Sequence, residues 1–295
     1  MASLRPSAHA QPRGAAESGA RDGAQAIDRA VSVLQGVGRA GQDGARLADL
    51  IIQCGLQKPT VRRLLLALMR GGLVEQDGES RRYFLGPEAY VLGTLAGARF
   101  GIHALSLDGL ARLAKESGDC AFLSVPRDAF CVCLHREEGA FPIRTHVLQA
   151  GDRHPLGIGG GGLAILAALP DAAVDEVIAT NTALLAQRYP TFPPPVLRAL
   201  VADARALGYA LNPGLLVPGS WGLGVAVRDG AGRPLGALSI AAIESRLSPA
   251  RQPEIAALLR REARLLEAAL HRASRAPSSP HPPARPPRPN LKVKA

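Results

Sequence analysis

The tight turn at Cys54-Gly55-Leu56 constrains this chain more than any other feature, because it joins two short segments whose apolar residues recur at helical spacing. Before it, Leu47, Leu50 and Ile51 share one helical face. After it, Lys58-Pro59-Thr60 opens a helix in which proline suits the first turn, where its missing N–H costs nothing. The buried face of that helix is expected to be Val61, Leu64, Leu65, Leu68 and Met69, and Gly71-Gly72 stop it. An earlier amphipathic helix is expected through Ile27, Ala30, Val31, Leu34 and Val37, ended by Gly36, Gly38 and Gly41. Two short strands, Leu73 to Glu75 and Arg82 to Leu85, flank the hairpin signal Asp77-Gly78. Three helices with a glycine turn and a following hairpin make a winged helix-turn-helix. A small helical domain that binds protein instead of DNA is the other reading of the pattern.

Once the apolar positions of the third helix are assigned to the core, Lys58, Thr60, Arg62, Arg63 and Arg70 remain. Thr60, Arg62 and Arg63 fall in the first turns, the part of a recognition helix that reaches base edges. Arginine can grip guanine with two hydrogen bonds, whereas Lys58 and Thr60 suit phosphates or thymine methyls. Arg81 and Arg82 at the wing, with Arg29 and Arg46 on the first two helices, are placed to meet backbone phosphates or the minor groove. A charged helix face that is merely solvated is the competing reading for each. Total charge decides little. Of the formal +10, +6 lies from Arg272 to Ala295, and residues 25–86 carry nine basic and six acidic residues.

The chain divides into residues 1–24, an arm expected to be disordered; 25–86, the DNA-binding domain; 87–103, a linker helix; 104–271, a second domain; and 272–295, a disordered basic Pro-rich tail. The tail either adds non-specific attraction to phosphates or is a solvated extension. The linker is expected to pack through Tyr90, Val91, Leu95 and Ala98. With no apolar run of signal-peptide or membrane-span length, the expectation is a cytoplasmic protein with reduced thiols and no membrane contact.

In the second domain, β-like runs (Ala121 to Val125, Phe130 to His135, Trp221 to Val227, Ala237 to Ile243) alternate with helical segments such as Leu105 to Ser117 and Glu254 to Leu270. Several runs lie close enough for hairpins, which favours an antiparallel sheet. Gly157, Gly159 and Gly162 spell a dinucleotide fingerprint, but Gly151 to Pro155 is not the buried strand that motif requires. What remains is a glycine-rich turn feeding a helix from Leu163 to Leu169. Its N–H groups can hold a carboxylate, or its glycines serve tight helix–sheet packing.

The runs Ala26-Ile27-Asp28-Arg29-Ala30-Val31, Leu47-Ala48-Asp49-Leu50 and Gly55 to Leu65 resemble the IclR-type regulators, as do Gly72-Leu73-Val74 and Tyr83-Phe84-Leu85-Gly86. The likeness extends over roughly residues 25–270, through Leu207-Gly208-Tyr209, Pro218 to Val227, Leu235 to Ile240 and Ser245-Arg246-Leu247. It implies an α+β chain with an N-terminal winged helix-turn-helix, a linker helix and a C-terminal GAF-like α/β effector-binding domain. The partners it implies are a double-stranded DNA operator, a small-molecule effector of carboxylic-acid type, and further copies of the chain in a homo-dimer or tetramer. It puts Leu156, Ile158, Asn212, Ser220, Trp221, Leu223 and Ser239 near the effector, around the glycine-rich stretch Gly159, Gly160 and Gly161. Trp221 either covers the ligand or fills core. Two departures stand out: Pro59 replaces the family's usual Ser, and Gly157 to Leu163 replaces a loop that often reads His-Ala-Thr-Ala-Leu-Gly-Lys.

Enzyme readings fare poorly. His135-Arg136-Glu137 spells half of a zinc deaminase motif with no Pro-Cys-x-x-Cys behind it. Asp152 and His154 have no strained-serine motif to complete a triad. Cys131 and Cys133 would share one face of a strand; with Cys120 or His135 they bind metal, sense oxidation, or are buried sheet thiols, the last being far the commonest. Neither a cofactor nor a resident metal is expected.

Overall fold

A computed structural model describes residues 15–97, 101–143 and 148–275. Helix α1 (Ala15–Arg39) is longer than the spacing predicts at both ends. It begins inside the arm expected to be disordered, whose first 14 residues lie outside the described ones, and it runs through Gly36 and Gly38. Gly36 does not break it, because a side chain there would meet Leu50 at 2.8 Å; the glycine is the seat for Leu50. Val33 and Val37 enter the core, while Ile27 and Val31 stay exposed.

Helix α2 (Leu47–Cys54) closes at Gly55, whose φ of +62° is the left-handed conformation glycine adopts without strain. Helix α3 (Lys58–Arg70) starts after an extended Gln57, with Pro59 in its first turn as expected, and stops at Gly71. Val61, Leu65 and Leu68 are buried against Val33, Val37, Leu50 and Val74; Leu64 and Met69 are only half-buried. Strands β1 (Val74–Gln76) and β2 (Tyr83–Leu85) form the wing, paired from Val74 with Leu85 to Gln76 with Tyr83. The connection is six residues, 77–82, and contains the Asp77-Gly78 signal. Asp77 accepts hydrogen bonds from the Ser80 N–H (2.7 Å) and hydroxyl (2.5 Å), and the positive φ falls on Arg81, at +58°.

Helix α4 (Pro87–Gly97) is the linker. The helix expected to reach residue 103 is followed instead by α5 (Ile102–Ser117), which already contains Ile102 and His103; Ala98 lies outside the described residues. Tyr90, Val91, Leu92 and Leu95 are exposed in the single chain.

The second domain is built on a six-stranded sheet in which every pairing is antiparallel, in the order β5-β4-β3-β8-β7-β6. Its strands are β3 (Cys120–Arg127), β4 (Phe130–Glu137), β5 (Arg153–Pro155), β6 (Ala210–Val217), β7 (Ser220–Arg228) and β8 (Pro234–Ile243). Helix α6 (Gly159–Ala167), with α7 (Asp171–Arg188) and α8 (Pro194–Leu207), makes the core of one face. Helix α5 and the C-terminal α9 (Gln252–Arg275) cover the other, over Leu123, Leu223, Leu238 and Ile240. Helix α9 runs to Arg275, so the tail expected from residue 272 begins inside it; residues 276–295 lie outside the described ones.

Two buried acids tie α5 and α9 together. Asp119 receives Arg246 at 2.6 Å and Arg251 at 3.0 Å, and Glu262 receives Arg112 at 2.7 Å and Arg261 at 2.9 Å. Buried carboxylates persist when their charge is met in this way.

Candidate functional site

Lys58, Arg62, Arg63 and Arg70 stand on the exposed face of α3, and Thr60 is half-buried. None of these four cations forms an ion pair among the described residues, so each is free to meet an external anion. Arg29 on α1 and Arg81 on the wing are exposed as well. Arg82 is different. Its Nη1 donates to the carbonyls of Asp43 (2.7 Å) and Gly44 (3.2 Å), and it is half-buried. The side chain expected at the wing tip is turned inward, bracing the wing against the bend between α1 and α2. Ala45 pairs with Tyr83 beside it, at 2.8 and 2.9 Å, so this bend is a third edge of the wing.

In the second domain the glycines expected to form a turn ahead of a helix are the first turn of α6 itself. They serve contact. A side chain on Gly160 would lie 2.9 Å from the backbone of Gly222 and Leu223, and one on Gly224 would lie 2.3 Å from the Gly160 carbonyl oxygen. The helix therefore rests directly on β7, which is the tight packing that competes with anion binding as an account of these residues.

Packing is not the whole of it. Beside the first turn of α6 is a cavity of about 30 Å³ bordered by Gly159, Gly160, Gly161, Asn212, Ser220, Trp221 and Ser239, seven of the ten residues expected near an effector. The volume exceeds what one water needs. The polar groups are neutral and buried: Asn212 is 4 % exposed, Ser239 5 % and Ser220 7 %. Asn212 spends its Oδ1 on the Leu215 N–H at 3.2 Å, and neither serine hydroxyl has a hydrogen-bond partner among the described residues. Among the described residues no ionisable side chain borders the cavity.

The other three expected residues are elsewhere. Leu156 and Ile158 belong to the core beneath α7 and α8, and Leu223 to the core beneath α5 and α9. Trp221 borders the cavity but packs against that same opposite core, so it fills core as well as edging the site. Phe122, Leu148 and Leu216 line the cavity and were not expected. Phe122 pairs directly with Ser239 across β3 and β8, a relation set by strand register and invisible to local pattern.

A roomier hollow of about 270 Å³ lies at the other end of α6, next to α8 and β7. Its arginines are already occupied: Arg205 donates to the carbonyls of Ala167 (3.0 Å) and Leu169 (2.7 Å), and Arg228 to that of Ala168 (3.4 Å). They close the carbonyl end of the helix and leave little to bind a ligand. The cysteines are all free thiols, and burial pushes those of Cys131 and Cys133 up to about 12. Thiols held protonated react slowly. Among the described residues no cluster of three or more His, Cys, Asp and Glu is placed to hold a metal ion, and no helix is long and apolar enough to cross a membrane.

Comparison with known proteins matches both domains. Residues 26–78 match the IclR helix-turn-helix domain, and residues 97–268 match the family described as bacterial transcriptional regulator IclR C-terminal. The HTH-type transcriptional repressor AllR of Klebsiella pneumoniae is 30 % identical over 266 residues, covering 87 % of this chain and 94 % of the repressor. An IclR transcriptional regulator from Alicyclobacillus acidocaldarius superposes with a TM-score of 0.67 at 24 % identity, over 83 % of this chain and 98 % of that one. An IclR homolog from Microbacterium hydrocarbonoxydans, crystallised with 4-hydroxybenzoate, gives 0.67 at 22 % identity over 84 % and 99 %. At these identities the two structures speak for the fold.

Proposed function

Because the chain belongs to the IclR family of transcription regulators, we propose that it binds operator DNA as a homo-oligomer and that a small organic acid, held beside the first turn of α6, changes that binding. The observation that carries the reading is the polar lining of the cavity. At about 30 Å³ the cavity has room for a carboxylate group and must widen to take the rest of an acid. Two buried serines, whose hydroxyls have no partner among the described residues, meet the N-terminal turn of a helix, where backbone N–H groups and the positive end of the helix dipole favour a negative charge. The described lining carries no cation, and neutral hydroxyls with one helix turn suit a single carboxylate. A related structure holds 4-hydroxybenzoate, a ligand of this chemical class.

On the DNA side, Arg62 reads a base edge, Lys58, Thr60 and Arg63 fix the register on the backbone, and Arg29 and Arg81 reach flanking phosphates. Arg82 is left to support the wing. The exposed apolar residues of α4, with Tyr90 at 77 % and Leu95 at 71 %, are where a second copy packs. The protein acts in the cytoplasm, on the DNA it regulates. The acid works only by binding two arrangements of the oligomer with different affinity.

The test is fluorescence-anisotropy binding of the chain ended at Arg275 to its own upstream DNA and to scrambled DNA, over a salt series and with candidate acids. Preference by several kcal/mol that a carboxylic acid alters is the expected result. Arg62→Ala is expected to cost about 1–3 kcal/mol, confined to one operator position per half-site. Weak binding, equal on both DNAs, overturns the reading.

A further inference from the structure

Helix α3 carries a large apolar residue that the DNA-reading surface has not absorbed. Leu66 is 54 % exposed, although the helix buries Val61, Leu65 and Leu68 on its other side. Single exposed leucines are ordinary on protein surfaces, but the setting of this one is not. It stands four residues after Arg62, three after Arg63 and four before Arg70, on the face those arginines share. Besides Leu66, the exposed positions of α3 are Lys58, Pro59, Arg62, Arg63, Ala67 and Arg70. That face holds cations and aliphatic groups only.

Chemistry limits what such a face can recognise. Adenine is read by Asn or Gln and cytosine by Asp or Glu, and the exposed positions within the helix offer none of these; Gln57, also exposed, stands just before its first residue. Guanine is open to its arginines. The one further base-specific feature of the major groove that an aliphatic group can meet is the C5-methyl of thymine. Four residues of helix advance about 6 Å, close to the rise of two base pairs.

We propose that Leu66 is a specificity-determining residue that packs on a thymine methyl about two base pairs from the base pair read by Arg62, so that the exposed face within α3 reads guanine and thymine. This rests on the assignment of α3 as the DNA-reading helix. It adds a contact that depends on no hydrogen bond and no charge, so it is insensitive to salt where the arginine contacts are not.

The experiment uses the full chain. Its preferred sites are selected from a random duplex library, and each thymine of the best site is then replaced in turn by deoxyuridine, which removes only the methyl. The wild type is expected to lose about fourfold in affinity at one position per half-site, the worth of one methyl-sized group taken from water. Leu66→Ala is expected to bind the thymine and deoxyuridine forms of that position equally, while keeping the guanine preference that Arg62→Ala removes. Deoxyuridine tolerated at every position, or a methyl preference that persists in Leu66→Ala, overturns the role of Leu66 while leaving the helix assignment intact. A library that returns no preferred sequence overturns the helix assignment and Leu66 with it.

Discussion

Gly224→Ala tests whether α6 sits on the sheet as tightly as its geometry demands. The added carbon would lie 2.3 Å from the Gly160 carbonyl oxygen and 2.6 Å from its carbon, against about 3.4 Å for ordinary contact. The obstacle is backbone on both sides, so no side chain can rotate away, and helix and strand must separate by about 1 Å. Overpacking of this kind costs about 1–3 kcal/mol, offset by about 0.4–1 kcal/mol from the stiffer unfolded chain. The net is a loss of about 1–2 kcal/mol, or about 2–8 °C for a domain of this size. Gly162, two residues along the same helix, is the control. A carbon there would find its nearest neighbours at 3.5 Å or beyond, so Gly162→Ala should gain up to about 1 kcal/mol of helix preference. Thermal unfolding followed by fluorescence reads both, since Trp221 is the single tryptophan and lies in β7. The reasoning is refuted if the two variants move in the same direction, or if Gly224→Ala melts with the wild type.

Two further outcomes follow from burial. Of the four cysteines only Cys54 is partly accessible, so a thiol reagent at pH 8 should titrate one thiol quickly in the native chain and all four after denaturation; two fast native thiols would contradict the burial that lifts Cys131 and Cys133 to about 12. His154 hydrogen-bonds Tyr189 through Nδ1 at 3.0 Å while Nε2 is buried without a partner, and that burial holds its pKa below the usual 6.5 despite Asp152. The unfolded chain then binds the extra proton first, so stability should fall as pH drops below about 6.5. His154→Gln should flatten that dependence in urea unfolding between pH 7 and 5, and an unchanged slope would count against it.

Legibility in the sequence tracked the range of the interactions involved. Helix α3 was readable because its start and stop are local: Pro59 in the first turn, Gly71 at the end. Helix α1 was misjudged because glycines 36 and 38 look like breakers, while Gly36 is held in the helix by the Leu50 side chain that fills its place. Strand β6 was missed altogether. Asn212-Pro213-Gly214 spells a turn, yet an edge strand tolerates proline, and the irregular register there absorbs Gly214 at φ +76°. The cavity was half legible. Its helix turn came from motif and Ser239 from the family resemblance, but that resemblance grouped Leu223 with Ser220 although residues an odd number apart on a strand face opposite sides. Phe122 came only with strand register. Arg82 was misplaced for a related reason, since nothing local shows that the bend at Asp43 and Gly44 comes within its reach.

The bare contact between α6 and β7 has a mechanical consequence. Side chains normally cushion a helix on a sheet, and small shifts die out as rotamers readjust. Here Gly160 bears on Gly222 and Gly224 with no such padding, and the residue between those two glycines, Leu223, is wholly buried in the core beneath α5 and α9. A displacement of the head of α6 toward the sheet meets the backbone of β7 directly, with no side chain between them to readjust. Leu223 then presses on the layer that contains α5, the first helix after the linker.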